Sequence, residues 1–326
     1  MMKKQVLSAG LFVVAAILAA SAVLFPSVSL VSVFSSSLVC IFSVIFSSNL
    51  WVIGIGSLVT FILAWVLSGS ASAALLFLIL FLPIGVALGL GFRNKWSFNE
   101  SISYAVLNAS VLGVLAIIVF IGEFSGGSFD VKAVLEPVFL SFKDLLRSAF
   151  VIDDPSVNAF YGAMGYTAEQ YVDRLYYSIV YSLPTFFVCF ILLVSVICYW
   201  LIKFFFKRTT VQVDFMGRFD DCRIGRTGAI LYSLATLFYL FSSHSVFGIV
   251  VLNFSNIMTY VLAYAGISFI AYLLDFKNFS QFFKVGIIIA SIAVCIIPGG
   301  LLNIIALLGF LDSCWNFRER LKNSGF

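Results

Sequence analysis

"FFKVGIIIASIAVCIIPGGLLNIIALLGFLDSCW" runs from Phe282 to Trp315. A membrane span takes about 20 residues, and this apolar stretch is too long for one helix. Pro298-Gly299-Gly300 stands in its middle. Proline lacks the amide proton a helix interior needs, and paired glycines turn the chain. The stretch therefore reads as two helices, 282–297 and 300–315, folded back on each other. The basic tail that follows, Arg318, Arg320 and Lys322, then lies on the same side of the membrane as Lys284.

The rest of the chain agrees with this reading. It is 62% hydrophobic, 17% aromatic and 10% charged, with a net charge of +4. Soluble domains carry about 25% charged residues. Only a lipid environment removes the need to hide so much apolar surface. Ten spans are expected, over 5–25, 28–48, 50–69, 71–91, 101–122, 175–202, 227–243, 246–274, 282–297 and 300–315. The second is rich in serine (Ser32, Ser35, Ser36, Ser37, Ser43). The opening "MMKKQVLSAGLFVVAAILAASAVLFP" has the basic start and small residues of a cleaved signal, but reads better as a retained first span.

Charge placement tests the topology, because loops on the cytoplasmic side carry the excess of Lys and Arg. With the N-terminus inside, ten spans put fifteen of the nineteen cations inside. The outside receives four cations and eight acids, all between Glu123 and Arg174. The expected fold is all-α, a polytopic bundle with both termini cytoplasmic, in a bacterial cytoplasmic (inner) membrane. It divides into a five-span bundle (1–122), an external loop (123–174) and a second five-span bundle (175–326).

The external loop contains "VKAVLEPVFLSFKDLLRSAFVI" from Val131. Its apolar residues recur at helical spacing with Lys132, Glu136, Lys143, Asp144 and Arg147 on the other face. This predicts an amphipathic helix lying at the interface or closing over the bundle. Thr167 and Gln170 make a capping box, which predicts a short helix leading into the sixth span. The internal loop, 203–226, carries six cations and three acids. Arg218, Arg223 and Arg226 there read as a solvated positive-inside loop or as a docking surface for a protein or acidic lipid. In the tail, Asp312 sits at the membrane boundary or caps a short following helix. Trp315 and Phe317 anchor at headgroup depth, and Arg318 meets anionic lipid.

The six cysteines form no C-x-x-C pair, and the chain has one histidine, His244. No metal site, nucleotide-binding loop or Ser/His/Asp set can be assembled. Glu100, Asp275 and Asp312 map near span ends, so no ion path runs through the bundle. Neither catalysis nor a cofactor is expected. Asn108, Asn253, Asn256 and Asn303, with Tyr260, Tyr264 and Tyr272, are the buried polar candidates; Asn253 and Asn256 read as lining an external pocket or, better, as bonding between helices, with Tyr260 and Tyr264 beside them.

The ending Gly309-x-x-Asp312-x-x-Trp315-x-Phe317-Arg318 resembles the C-terminus of the YybS-like family of predicted bacterial membrane proteins, a domain of unknown function. "LPIGVALGLGFRNK" (Leu82 to Lys95), Leu183-Pro184 and "LNFSNIMTYVLAYAGIS" (Leu252 to Ser268) resemble other parts of that family in the same order. The N-terminal half of the family is distantly similar to the substrate-capture subunits of energy-coupling-factor vitamin transporters. That resemblance implies capture of a small molecule from outside and docking on a coupling protein through small residues of the first helix. Ala15-x-x-x-Ala19 and Ala16-x-x-x-Ala20 supply such pairs here, although small pairs also pack helices within one protein. Gly85-x-x-x-Gly89 reads as internal packing. Two functions stay open: substrate capture without an ATPase of its own, or an envelope scaffold that recruits a partner. Expected partners are membrane lipid and a membrane or cytoplasmic protein, with a small-molecule ligand under the capture reading and no nucleic acid.

Overall fold

The computed structural model describes residues 7, 10–11, 13–15, 17–18, 29–47, 51–124, 131–149, 159, 161–163, 165–207, 219–242, 246–296 and 301–323. Among them the chain is all-α, with no strand. The helices are α1 (Ser29–Phe46), α2 (Trp51–Ser68), α3 (Ala71–Asn94), α4 (Phe98–Phe124), α5 (Val131–Ala149), α6 (Ala168–Lys207), α7 (Arg226–Ser242), α8 (Val246–Phe276), α9 (Gln281–Ile296), α10 (Leu301–Trp315) and α11 (Phe317–Asn323). A 3₁₀ turn, Phe219–Asp221, precedes α7. Over unbroken runs of described residues, Ala168–Lys207 and Phe247–Phe276 are long and apolar enough to cross a membrane. His244 and the turn at Pro298-Gly299-Gly300 lie outside the described residues.

Contacts divide the chain into two compact units. The first comprises Met1–Asn94, Ser101–Leu183 and Phe190–Ile202, and the second Lys95–Glu100, Pro184–Cys189 and Lys203–Phe326. In the first unit α1 packs along α3. A side chain at Gly85 would strike Cys40, and one at Gly89 would come within 2.5 Å of the Val44 Cβ. The Gly-x-x-x-Gly pair therefore packs within the chain. The serines of α1 fit this seam because they are small and satisfy themselves. Ser36 and Ser37 are fully buried, and their hydroxyls donate to the Val33 carbonyl at 2.9 and 2.8 Å. Such back-bonding leaves no open donor in an apolar setting.

The Thr167–Gln170 capping box forms: Thr167 N–H donates to Gln170 Oε1 at 3.0 Å, and Gln170 N–H to Thr167 Oγ1 at 3.1 Å. The helix it opens is not short, however. It runs unbroken for 40 residues through the expected sixth span. That is about 60 Å, twice the thickness of a hydrocarbon core. Nothing between the cap and the apolar segment stops a helix.

The amphipathic α5 lies against the first turns of α6. Phe139 and Phe142 each approach the Tyr176 ring at 6.4 Å. Lys143 pairs with Asp173 at 2.5 Å and Arg147 with Glu169 at 2.6 Å. A seam of α5 that mixes aromatic and charged residues is thus held by α6, while Leu140 and Leu145 point away, exposed.

In the second unit α8 and α10 cross backbone to backbone. A side chain on Gly266 would collide with the Ile305 carbonyl oxygen, and one on Gly309 with the Leu262 carbonyl oxygen. Small residues permit this approach, and dispersion between the two backbones is the return. The prediction is that Gly266→Ala and Gly309→Ala each destabilise the protein by about 1–3 kcal/mol or more. Gly286→Ala in α9, which meets nothing within 4 Å, leaves thermal unfolding in detergent unchanged or slightly raised.

Candidate functional site

The second unit is organised around one buried cation. α10 ends at Trp315, and Asn316 takes the left-handed conformation (φ 49°). Asparagine is among the few residues that enter this region readily. The Asn316 N–H donates to the Asp312 carbonyl at 2.9 Å and closes the turn. The chain then re-enters a helix at Phe317, which brings Arg318 back beside Asp312.

Arg318 Nε donates to Asp312 Oδ2 at 2.8 Å, and the two residues are 5% and 3% exposed. Its Nη1 donates to the Asp220 carbonyl and, at 3.3 Å, to Ser268 Oγ. Its Nη2 reaches the Cys222 carbonyl at 3.2 Å and the Ala265 carbonyl at 3.4 Å. The guanidinium lies 5.7 Å from the centroids of Phe269 and Tyr272. Tyr272 in turn donates its hydroxyl to the Arg318 carbonyl at 3.2 Å. The Ser268 hydroxyl lies 2.7 Å from both the Phe219 and the Cys222 carbonyls and has one proton to share between them.

One planar fork of five donors thus gathers a carboxylate and the carbonyls of a non-helical segment. The sequence suggested Asp312 at the membrane boundary or as the cap of a short following helix, and Arg318 at anionic lipid; both side chains are buried inside the unit. Trp315 remains about half exposed, 6.2 Å from the Phe317 ring, and Phe317 stacks on Phe269.

The other candidates fall in separate places. Arg223 is exposed and pairs with Glu319 of α11 at 2.7 Å, while its carbonyl accepts from Asn99 Nδ2 at 3.3 Å. Arg226 is exposed at the start of α7, and Arg218 lies outside the described residues. Ala15 is fully buried in a cluster with Cys40, Val44 and Phe81, so the chain itself occupies that position of the expected docking face. Ala16, Ala19 and Ala20 lie outside the described residues.

Asn253 bonds between helices. Its Oδ1 accepts from the Thr185 N–H at 3.1 Å and from Thr185 Oγ1 at 2.7 Å, and its amide nitrogen donates to Ile249 O at 2.9 Å. Thr185 follows Pro184 inside α6, where proline removes a rung from the helix ladder. The Pro184-Thr185 pair was the available signal for this clamp. Asn256 is half-buried and Tyr260 exposed. Tyr264 stacks on Phe98 at 5.6 Å, meets Phe219 edge-on at 5.5 Å, and points its hydroxyl at Cys222 Sγ. It lies about 16 Å along α8 from Asn253.

A groove that sequence reading missed opens between α7 and α10, with a volume of about 440 Å³. Tyr232 and Phe310, ring centroids 6.1 Å apart, stand at one end, and Leu240 and Asn303 at the other. Its lining holds no charged residue. The Ser233 and Thr236 hydroxyls donate to the carbonyls of Ala229 and Tyr232, at 3.1 and 3.0 Å. Of its lining only Asn303 was singled out in the sequence, as a buried polar candidate; the other residues carry no motif and come from helices more than sixty positions apart. Among the described residues no cluster of His, Cys, Asp and Glu forms that would hold a metal ion.

Two outcomes follow from the buried arginine. Arg318→Met leaves the Asp312 charge buried and unpaired, a loss of about 3–5 kcal/mol, and the double variant Asp312→Leu/Arg318→Met regains part of it in thermal unfolding. Burial also pushes the Cys222 thiol up to about 11, against the opposing pull of Tyr264 and Arg318. At pH 8 that thiol is neutral, so a variant keeping Cys222 as its single cysteine resists maleimide. Labelling accelerates when Arg318→Ala opens the site, as peptide mass spectrometry will show.

A family model described as "Predicted membrane protein (DUF2232)" matches residues 13–313. No curated protein and no solved structure matches the chain.

Proposed function

The chain belongs to this family of predicted membrane proteins, and from that membership we propose a multi-pass protein of the bacterial cytoplasmic membrane that captures a small amphipathic molecule. In this reading the chain makes ten spans with both termini cytoplasmic. It has no catalytic step and no motor of its own. Support for the topology comes from the charge asymmetry of the loops. α9 and α10, with 16 and 15 residues, extend about 22–24 Å, and tilt or local thinning accommodates such short spans.

The observation that carries the capture reading is the uncharged groove of about 440 Å³ between α7 and α10. Its size falls within the range of small-molecule sites, which are mostly apolar with a few placed polar groups. The scaffold reading draws on Arg218, Arg223 and Arg226 of the 203–226 loop and on the tail. Arg223 and Arg318 instead have partners inside their own unit.

Gentle extraction from native membranes followed by native mass spectrometry tests the proposal. A small molecule bound at one per chain is the expected result. A protein partner without a small molecule overturns capture in favour of the scaffold, and a chain carrying only bulk phospholipid overturns it outright. For the topology, a green fluorescent reporter fused after the tail fluoresces and an alkaline phosphatase fused there stays inactive.

A further inference from the structure

We infer that the groove between α7 and α10 takes a single-chain, neutral amphiphile from the bilayer, a medium-chain alcohol or amide, with its polar head at Asn303. The inference rests on the capture reading and names its ligand class. Four observations converge on it.

First, the groove is open sideways. Leu237 and Leu240 on α7 and Leu307 on α10, all in its lining, are exposed, and within a membrane such faces meet hydrocarbon. A ligand enters laterally, so it is a molecule that dissolves in the bilayer.

Second, the lining lacks charge. Transfer of a carboxylate or ammonium into such a setting costs several kcal/mol unless it is paired. No lysine, arginine or acid stands in the groove to pair with one, so the head is neutral.

Third, hydrogen-bonding capacity is unevenly distributed. Ser233 and Thr236 already donate to their own helix, and Thr236 lies 3.2 Å from Ser255 Oγ. They can border an alkyl chain without an open donor. Asn303 is different: its amide makes no hydrogen bond to any described residue, and it is exposed at the groove's end. At the end of an apolar groove an amide is the placed polar group that a ligand's head can bond. It also sits in the first turn of α10, where helix N–H groups have no carbonyl one turn earlier in the helix. A hydroxyl or carboxamide head, able both to donate and to accept, complements this end.

Fourth, the length is bounded. From Leu240 to the Tyr232–Phe310 ring pair is eight residues of α7, about 12 Å. That length holds one medium alkyl chain.

The test uses a decanol analogue with a diazirine on its chain, photolysed with the full-length protein in phospholipid nanodiscs. Crosslinks are expected on Tyr232–Leu240 and Asn303–Phe310. Decanol and decanamide should compete for them, and decane and decanoate should compete far less. Asn303→Leu should lower labelling on the order of tenfold, the loss of roughly one buried hydrogen bond, and abolish the preference for decanol over decane. Ser233→Phe, placed on an accessible position of α7, should block labelling altogether. Thermal unfolding of both variants confirms that they fold.

Crosslinks spread over all lipid-facing helices, or equal competition by decane or decanoate, overturn the inference. So does full labelling of Asn303→Leu with the head preference intact. A native mass spectrum that holds a small molecule while these crosslinks fail removes the groove assignment and leaves capture standing. If neither experiment finds a ligand, both readings fall.

Discussion

The second unit depends on a guanidinium that has left water. Stripping a cation of its hydration costs several kcal/mol, and only a full set of acceptors makes the exchange tolerable. Arg318 finds that set in one carboxylate, three backbone carbonyls and a serine hydroxyl, between two aromatic rings. The carbonyls of Asp220 and Cys222 belong to backbone outside the long helices. Near a bilayer such backbone persists only where something bonds to it. The arginine therefore stabilises the segment, and the segment stabilises the arginine. Lysine, a point charge with three donors, has no geometry for the same task.

This arrangement requires α8 and α10 to be close. Gly266 and Gly309 let their backbones touch, and the Ala265 carbonyl then lies within reach of the guanidinium. The left-handed Asn316 does the rest by folding α11 back toward Asp312. The order glycine, aspartate, asparagine, arginine along the tail is thus a sequence of mechanical tasks: approach, counter-charge, reversal, clamp. Elsewhere the polar groups of the helices follow a simpler rule. Ser36, Ser37, Ser233, Thr236 and Ser313 donate to their own helices, and Asn253 and Thr185 bond each other beside Pro184. An apolar environment leaves few other solutions.

Charge is unevenly distributed in the second unit. In the described part of the second unit, ionised side chains lie near helix ends and in the segments joining them, several in pairs such as Lys284 with Asp275 and Arg223 with Glu319. The groove between α7 and α10 is left neutral. The proposal of a neutral, lipid-like ligand rests on that absence of charge from the groove's lining.

Much was legible in the residues themselves. The apolar content, the helical runs and the Thr167–Gln170 cap all depend on neighbours in sequence, and helices lie over the expected stretches that are described, except that α6 runs on from the cap through the sixth span where a separate short helix was expected. Local signals also place Arg318 next to a terminus rich in cations, which is why it reads as a lipid anchor. Apart from Asp312, what it touches was decided by residues 46 to 98 positions away, and no local rule reports a carbonyl waiting at Asp220. Tertiary packing likewise turned Ala15 inward, separated Asn253 from Tyr264 along one helix, and built a groove from two helices that carry no motif. Sequence determined that the chain is helical and belongs in lipid, because those properties follow from composition and short-range periodicity. Only the tertiary structure decided which polar groups are buried against each other, because desolvation and hydrogen bonding act between surfaces that meet after the helices have formed.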